Sequence, residues 1–263
     1  MRFEVDRFRL ERHRHRQLEL TWIERGTGIR FVGDNVATFS SGDLVLLGVD
    51  VPHAWVSAAK YGPDTSLASV VQFPIELMSQ ATFPELARAL PLADRARVGL
   101  QIGGDCARSV KRLLGRMPAA DPLRQLAGLI EIIGLMSTHS SDLAPIATRP
   151  QQAAAPGARA RQIDRVTEWV VRNMRRELRV SEAARLAGVS PGAFPRFFRR
   201  EAGKPFSTYV NDVRCGEACL QLRQLRAPIA LIAEQCGFRS ISHFNRQFRR
   251  RLGATPREYR RQG

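Results

Sequence analysis

A repeat constrains this chain more than any other feature. Phe194-x-Arg196-x-Phe198-Arg199-Arg200-x-x-Gly203, followed by Tyr209, recurs fifty positions later as Phe244-x-Arg246-x-Phe248-Arg249-Arg250-x-x-Gly253, followed by Tyr259. Seven identities at fixed spacing mark a duplicated supersecondary unit. Upstream of each copy a small residue stands four positions before a glycine: Ala184 with Gly188, and Ala233 with Gly237. This spacing predicts a helix-turn-helix. The alanine fits where a partner helix crosses, and the glycine ends its helix in a turn that needs positive φ. Ser190 and Ser240 are candidate caps for the next helix, and Pro191 suits its first position. On that second helix Phe194 and Phe198, or Phe244 and Phe248, lie four apart and face inward. Arg196 and Arg246 are left on the outer side. Gly203 and Gly253 close the helix, and Thr255-Pro256-x-Glu258 opens the last one as a capping box. Taken singly, any of these Phe, Ala or Gly residues fits an ordinary packed bundle equally well.

Charge separates the repeat from a plain bundle. The chain of 263 residues carries a formal net charge of +16. Residues 161–263 hold 22 Lys and Arg against 9 Asp and Glu, whereas the first 160 hold 19 against 16. A basic half joined to a near-neutral half predicts a polyanion-binding module attached to a second function. Charge alone does not separate DNA, RNA and an anionic membrane. No apolar run approaches the ~18 residues of a membrane span. The opening MRFEVDRFRLERHRHR lacks the apolar core of a signal peptide, which predicts a cytoplasmic protein with no membrane partner. Cys106, Cys215, Cys219 and Cys236 form no CxxC and read as small core residues in a reducing compartment.

The rest of the chain divides into two parts. Runs at 18–24, 29–33, 36–40, 43–48 and 68–73 read as strands separated by turn residues, which predicts an antiparallel sandwich or barrel. Helical spacing follows at 74–90, 105–116 and 122–139, with Asp121-Pro122 starting the last. The stripes on 105–116 and 122–139 suit either the cover of their own core or a dimer interface. Residues 144–160, rich in Pro and Ala, read as a linker. Beyond it Ile163, Val166, Trp169, Val170 and Met174 form one helical stripe.

Residues 183–214 (AARLAGVSPGAFPRFFRREAGKPFSTYVNDVR) and 228–260 (PIALIAEQCGFRSISHFNRQFRRRLGATPREYR) resemble the AraC/XylS family of bacterial transcription regulators. The resemblance implies two helix-turn-helix units joined by a long helix, here about 206–222, spanning about 25 Å. Such a helix would set the two reading helices about one DNA turn, roughly 34 Å, apart. It implies that Gly192, Pro195 and Arg196 of the first unit, and Ser242, His243, Asn245 and Arg246 of the second, face bases. Arg196 and Arg246 are the strongest candidates for a two-bond contact to guanine. Arg199, Arg200, Arg249, Arg250 and Arg251 are read as phosphate contacts or solvated charge. Proline at 195 departs from the polar residue usual there. Inside a helix it would cost about 3 kcal/mol unless the helix start bends, so the second unit is expected to carry more specificity.

The N-terminal half resembles a cupin, the small β-barrel fused to many such regulators. His13-x-His15-x-x-x-Glu19 with Gly26 fits the first cupin motif. The second fits loosely: Gly42 and His53 are in register, but Gly48, Asp50 and Ser57 replace Pro, Gly and Asn. Residues 13, 15 and 19 share parity and, on an extended strand, one face. With His53 they would make the ligand set of metal-binding cupin enzymes. Polar contacts to an effector at the barrel mouth, or plain exposure, remain the other readings. Trp22 and Trp55 suit stacking on a sugar ring or core packing.

The expected fold is therefore α+β in two domains. A cupin-like β-barrel with trailing helices spans 1–143, a linker 144–160, and an all-α domain with two helix-turn-helix motifs 161–263. The expected function is a non-enzymatic regulator that binds specific double-stranded DNA and works as a homodimer. DNA binding falls to Gly192, Pro195, Arg196, Arg199, Ser242, His243, Asn245, Arg246 and Arg249. A small-molecule effector, with sugars among the candidates, falls to His13, His15, Glu19, Trp22, His53 and Trp55, with no metal or other cofactor. The rivals are a metal-dependent cupin enzyme tethered to a DNA-binding half, and an effector-independent dimeric regulator.

Overall fold

The computed structural model describes residues 2–58, 65–78, 83–150 and 158–262. The N-terminal half holds two antiparallel sheets. The larger runs in the order β1 (Arg2–Val5), β7 (Ser66–Pro74), β2 (Gln17–Arg25), β5 (Leu44–Leu47), β8 (Leu100–Ile102), β9 (Leu143–Pro145). The smaller runs β4 (Asn35–Phe39), β3 (Gly28–Val32), β6 (His53–Ser57). Strand parity assigns each face. Leu18 and Leu20 of β2, with Leu44 and Leu46 of β5, point away from the small sheet into a core shared with helices α2 (Gly104–Arg116) and α3 (Pro122–Thr138). Ile23, Val45 and Leu47 point between the sheets, where they meet Val32, Phe39 and Trp55. Arg30, buried at this inner layer, donates to Asp43 at 2.8 Å and to Gln101 at 2.5 Å, tying the small sheet to the large one.

The closed barrel expected from the sequence does not form. The two ladders stay separate, and the smaller sheet turns its outer face, Ile29, Phe31 and Ala54, onto the C-terminal helices. The segment 8–15 runs antiparallel along the edge of β6, held at its ends. Phe8 O accepts from Ser57 N at 3.0 Å, and His13 and His53 exchange backbone bonds at 3.1 and 3.0 Å. Strands β8 and β9, and β6, are short and lack the turn-bounded runs that reveal the others. Residues 143–145, at and beyond the start of the segment read as linker, belong to the large sheet. Only short turns, Ile75–Met78 and Leu86–Ala89, precede α1 (Leu90–Arg95) where a helix over 74–90 is expected. Pro74, Pro84 and Pro91 interrupt that stretch, and residues 79–82 lie outside the described residues. Asp121 caps α3 as expected, accepting from the backbone N–H of Leu123 and Arg124.

The C-terminal half is helical: α4 (Ala158–Asn173), α5 (Val180–Ala187), α6 (Phe194–Ala202), α7 (Phe206–Gln224), α8 (Ile229–Gln235), α9 (Ile241–Leu252) and α10 (Pro256–Gln262). Phe194, Phe198, Ala183 and Ala184 are fully buried around α4 to α7, and Phe244, Phe248 and Ala233 around the end of α7 and α8 to α10. Gly188 sits at φ 66° and Gly237 at φ 85°. A Cβ on Gly237 would lie 2.3 Å from the Met174 carbonyl oxygen, so that turn admits no side chain. The capping box of α10 is complete: Thr255 N donates to Glu258 and Glu258 N to the Thr255 hydroxyl. All four cysteines are buried and unbridged.

Candidate nucleic-acid interface and small-molecule pocket

The two reading helices are equivalent in environment as well as in sequence. Residues 191–200 and 241–250 have the same burial class at all ten positions. Phe194, Phe197 and Phe198 are buried, as are Phe244, Gln247 and Phe248. Between them Gly192, Pro195, Arg196, Arg199, Ser242, Asn245, Arg246 and Arg249 are exposed, and His243 is half-buried. Every residue expected to read DNA therefore lies on an open face or at its edge. Among the described residues Arg196, Arg199, Arg246, Arg249 and Arg250 have no ion-pair partner in the chain. His243 is lowered from the usual imidazole range, first by burial and then by Arg246 and Arg214.

Two sequence expectations change at this surface. Pro195 neither kinks nor interrupts a helix: regular α6 begins at Phe194, so Pro195 stands in the first turn, where no N–H partner is needed. A turn over 191–193, with Ala193 N bonded to the Ser190 hydroxyl at 3.3 Å, precedes it. Arg251 is not a phosphate contact or solvated charge. It bonds the Asp212 carboxylate and, at 3.1 Å, the Thr208 carbonyl, while Lys204 reaches the same Asp212 at 2.6 Å. This cluster fixes α9 on α7, and with it the relative orientation of the two reading helices.

In the N-terminal half a cavity of about 510 Å³ opens among Phe8, His13, Glu19, Thr21, Ile23, Trp55, Val70 and Gln72. At one end His13, His15, Glu19 and His53 bring ligand-type atoms within 4.8 Å of one another. His13 and His15 precede β2 rather than extending it, so backbone bonds, not strand parity, bring them there. Asp50 N donates to the His15 carbonyl at 2.9 Å, and Asp50 adopts φ 58°, the conformation for which glycine is usual at this position. Glu19 accepts from His15 at 2.9 Å, Thr21 at 2.6 Å and Gln72 at 2.8 Å. Burial opposes its ionisation, but these bonds and the neighbouring His53 outweigh burial and hold the carboxyl at about 2. His15 is raised, chiefly by its bond to Glu19. His53 is lowered to about 4, chiefly by burial. Trp55 lines the cavity, but Trp22 does not: it has the opposite parity on β2 and packs on the helix side of the sheet.

Sequence reasoning missed the residues joining the halves. Arg12, next to His13, reaches Asp164 at 3.6 Å and the Thr167 hydroxyl at 3.5 Å on α4. Phe31 of β3 meets Tyr209 of α7 at 6.3 Å, and α7 comes close enough at Gly216 that a Cβ would touch Ile29. Arg12 and Thr167 are 155 residues apart, and no local pattern links them.

Residues 183–262 match the helix-turn-helix domain family. The regulator Rv1931c of Mycobacterium tuberculosis is 37% identical over 82 residues, and this chain spans about a third (32%) of its length. The transcriptional activator RhaR of Klebsiella pneumoniae is 24% identical over 94% of this chain and 86% of its own. A transcriptional regulator from Chromobacterium violaceum, of the AraC-type DNA-binding-domain proteins, is 30% identical over 38% of this chain and 90% of its own, with a TM-score of 0.36. Two duplicated helix-turn-helix units on a basic helical domain, behind a β-rich half, are the architecture to which these similarities correspond. Over residues 183–262 the chain carries a helix-turn-helix domain similar to those of the transcription regulators named above. No helix among the described residues is long and apolar enough to cross a membrane.

Proposed function

We propose that this chain recognises specific double-stranded DNA through α6 and α9 and regulates transcription from the cytoplasm under the control of a small molecule in the cavity beside His13, Glu19 and Trp55. The observation that carries the reading is the matched pair of exposed reading faces, on which Arg196, Arg199, Arg246 and Arg249 have no ion-pair partner among the described residues. Arg196 and Arg246 suit guanine, and Arg199 and Arg249 suit flanking phosphates. The cavity suits an effector because apolar walls meet a few fixed polar groups at one end. Leu123, Leu126 and Ile130 form an exposed apolar stripe on α3 that suits a homodimer contact. Effector and DNA would be linked thermodynamically: whatever factor the effector applies to DNA affinity, DNA applies to effector affinity.

Selection of bound sequences from random duplex DNA with the full chain tests the reading. The expected result is a site with two readable segments about one helical turn apart, and binding that falls steeply with salt as counterions are released. An unenriched pool, or affinity indifferent to salt, overturns it.

A further inference from the structure

We propose that the groove between α8, α9 and the start of α10 seats the DNA phosphate backbone beside the helix that reads bases, an anchor that the first helix-turn-helix unit does not match. The inference rests on the reading of α9 as a DNA-reading helix and adds two residues to it, Arg250 and Arg257.

Four arginines, Arg246, Arg249, Arg250 and Arg257, line a groove of about 820 Å³, and among the described residues no acidic side chain lines it. All four are exposed, and among the described residues none has an ion-pair partner. Glu258, the sequence neighbour of Arg257, is engaged elsewhere: its carboxylate accepts from the Thr255 N–H at 2.7 Å and from the Thr255 hydroxyl at 2.8 Å. Like charges gathered without a counter-charge repel one another, and a polyanion relieves that repulsion. Ile229, Ile241 and Pro256 supply apolar lining, which fits the sugar carbons between phosphates. Asn245 and Arg246, on the exposed face of α9, belong to the same groove, so it runs on from the base-reading face. That continuity favours a DNA backbone over an acidic protein segment as the occupant.

The repeat hides how far the two units differ here. Fifty positions earlier Arg200 matches Arg250, but it bonds Glu201 at 2.8 Å, where the second unit has Arg251. Ser207 stands in the place of Arg257. Phe206 stands in the place of Pro256, and its ring packs 5.2 Å from both Phe194 and Phe198. The matching surface of the first unit thus keeps two unpaired arginines, Arg196 and Arg199, against four in the second. Salt-sensitive affinity is therefore concentrated in the second unit.

The test measures binding of the full chain, from low to high salt, to a random duplex and to any duplex it selects. Each phosphate contact contributes about 0.9 to the slope of log affinity against log salt. Arg250→Gln combined with Arg257→Gln should lower that slope by about 1.8 on either duplex and leave base preference unchanged. A fourfold rise in salt should then cost wild type about twelvefold more affinity than it costs the double variant. Arg200→Gln should leave the slope as it is. All three residues are exposed, so the variants should keep the wild-type melting temperature. The proposal is overturned by an unchanged slope in the double variant, by a comparable fall in Arg200→Gln, or by a changed base preference. A chain that enriches a sequence while the double variant keeps its slope sinks this inference and spares the regulator reading. A slope that falls as expected in a chain that enriches no sequence sinks that reading alone.

Discussion

At the scale of single residues, His53 gives the sharpest pH signature. Burial holds its folded pKa at about 4, against 6.5 when exposed. The unfolded chain therefore takes up a proton below about 6.5 that the folded chain refuses. The stabilisation is complete above 6.5 and lost as pH falls toward 4, amounting to about 3 kcal/mol. His15, raised by Glu19, works in the opposite sense: its contribution is present below 6.5 and fades as pH rises through its folded value. Denaturant unfolding with chelator present should show wild type losing stability between pH 6.5 and 4.5, with His53→Gln losing markedly less. Equal losses would show that His53 does not titrate as described. The base-facing arginines make a second residue-scale prediction. Arg246→Ala should cost more specific affinity than Arg196→Ala, about 1–3 kcal/mol, because Ser242, His243 and Asn245 surround Arg246 while Gly192 and Pro195 flank Arg196. Competition binding against the selected site measures both, and the reverse order would refute the ranking.

At the scale of elements, α9 owes its placement to Arg251. The Arg251–Asp212–Lys204 cluster joins it to α7, and Arg251 is only 12% exposed at its side chain. Arg251→Ala leaves Asp212 with one partner and should lower stability by roughly 2–4 kcal/mol. It should also weaken DNA binding beyond what a removed phosphate contact explains, because α9 tilts. A melting curve beside a DNA titration separates the two effects. A purely electrostatic loss, with melting unchanged, would return Arg251 to the DNA face. The sequence made α5, α6, α8 and α9 legible because their determinants are short-range. Glycine turns, the Ser240 cap and the Thr255–Glu258 box all close within a few residues. Arg251 was misread for the opposite reason: its partner is 39 residues away, and a run of three arginines looks the same whether or not one folds inward. The place of Trp22 was legible, since 19 and 22 differ in parity on one strand, whereas that of His13 and His15 was not, because they lie off the strand that carries Glu19. Strands β2, β3 and β5 were readable as short runs bounded by turn residues. The open two-sheet arrangement was not, because what covers the small sheet lies more than a hundred residues further on.

At the scale of the molecule, the arrangement of layers makes one segment answerable to both halves. Residues 8–15 line the cavity with Phe8 and His13, while Leu10 packs against the core of the first helix-turn-helix unit and Arg12 meets Asp164 and Thr167 on α4. Anything that reorders His13 must therefore move or hold Arg12, its covalent neighbour. Asp164 is partly buried, and burial raises its pKa against the pull of Arg12, so the contact lies in a poorly solvated place where losing a partner matters. A conformational link needs differential contacts in two states, and this segment is where a cavity ligand acquires them. In the full chain, a ligand of the His13 cluster should shift DNA affinity by about 5- to 150-fold, the usual range of coupling between sites. Arg12→Ala should bring that factor toward one while leaving ligand affinity without DNA, and DNA affinity without ligand, within a few fold of wild type. Coupling that survives intact in Arg12→Ala would mean that the signal crosses elsewhere, through the Ile29, Phe31 and Tyr209 contact. Phe31→Ala would then be the variant that breaks it.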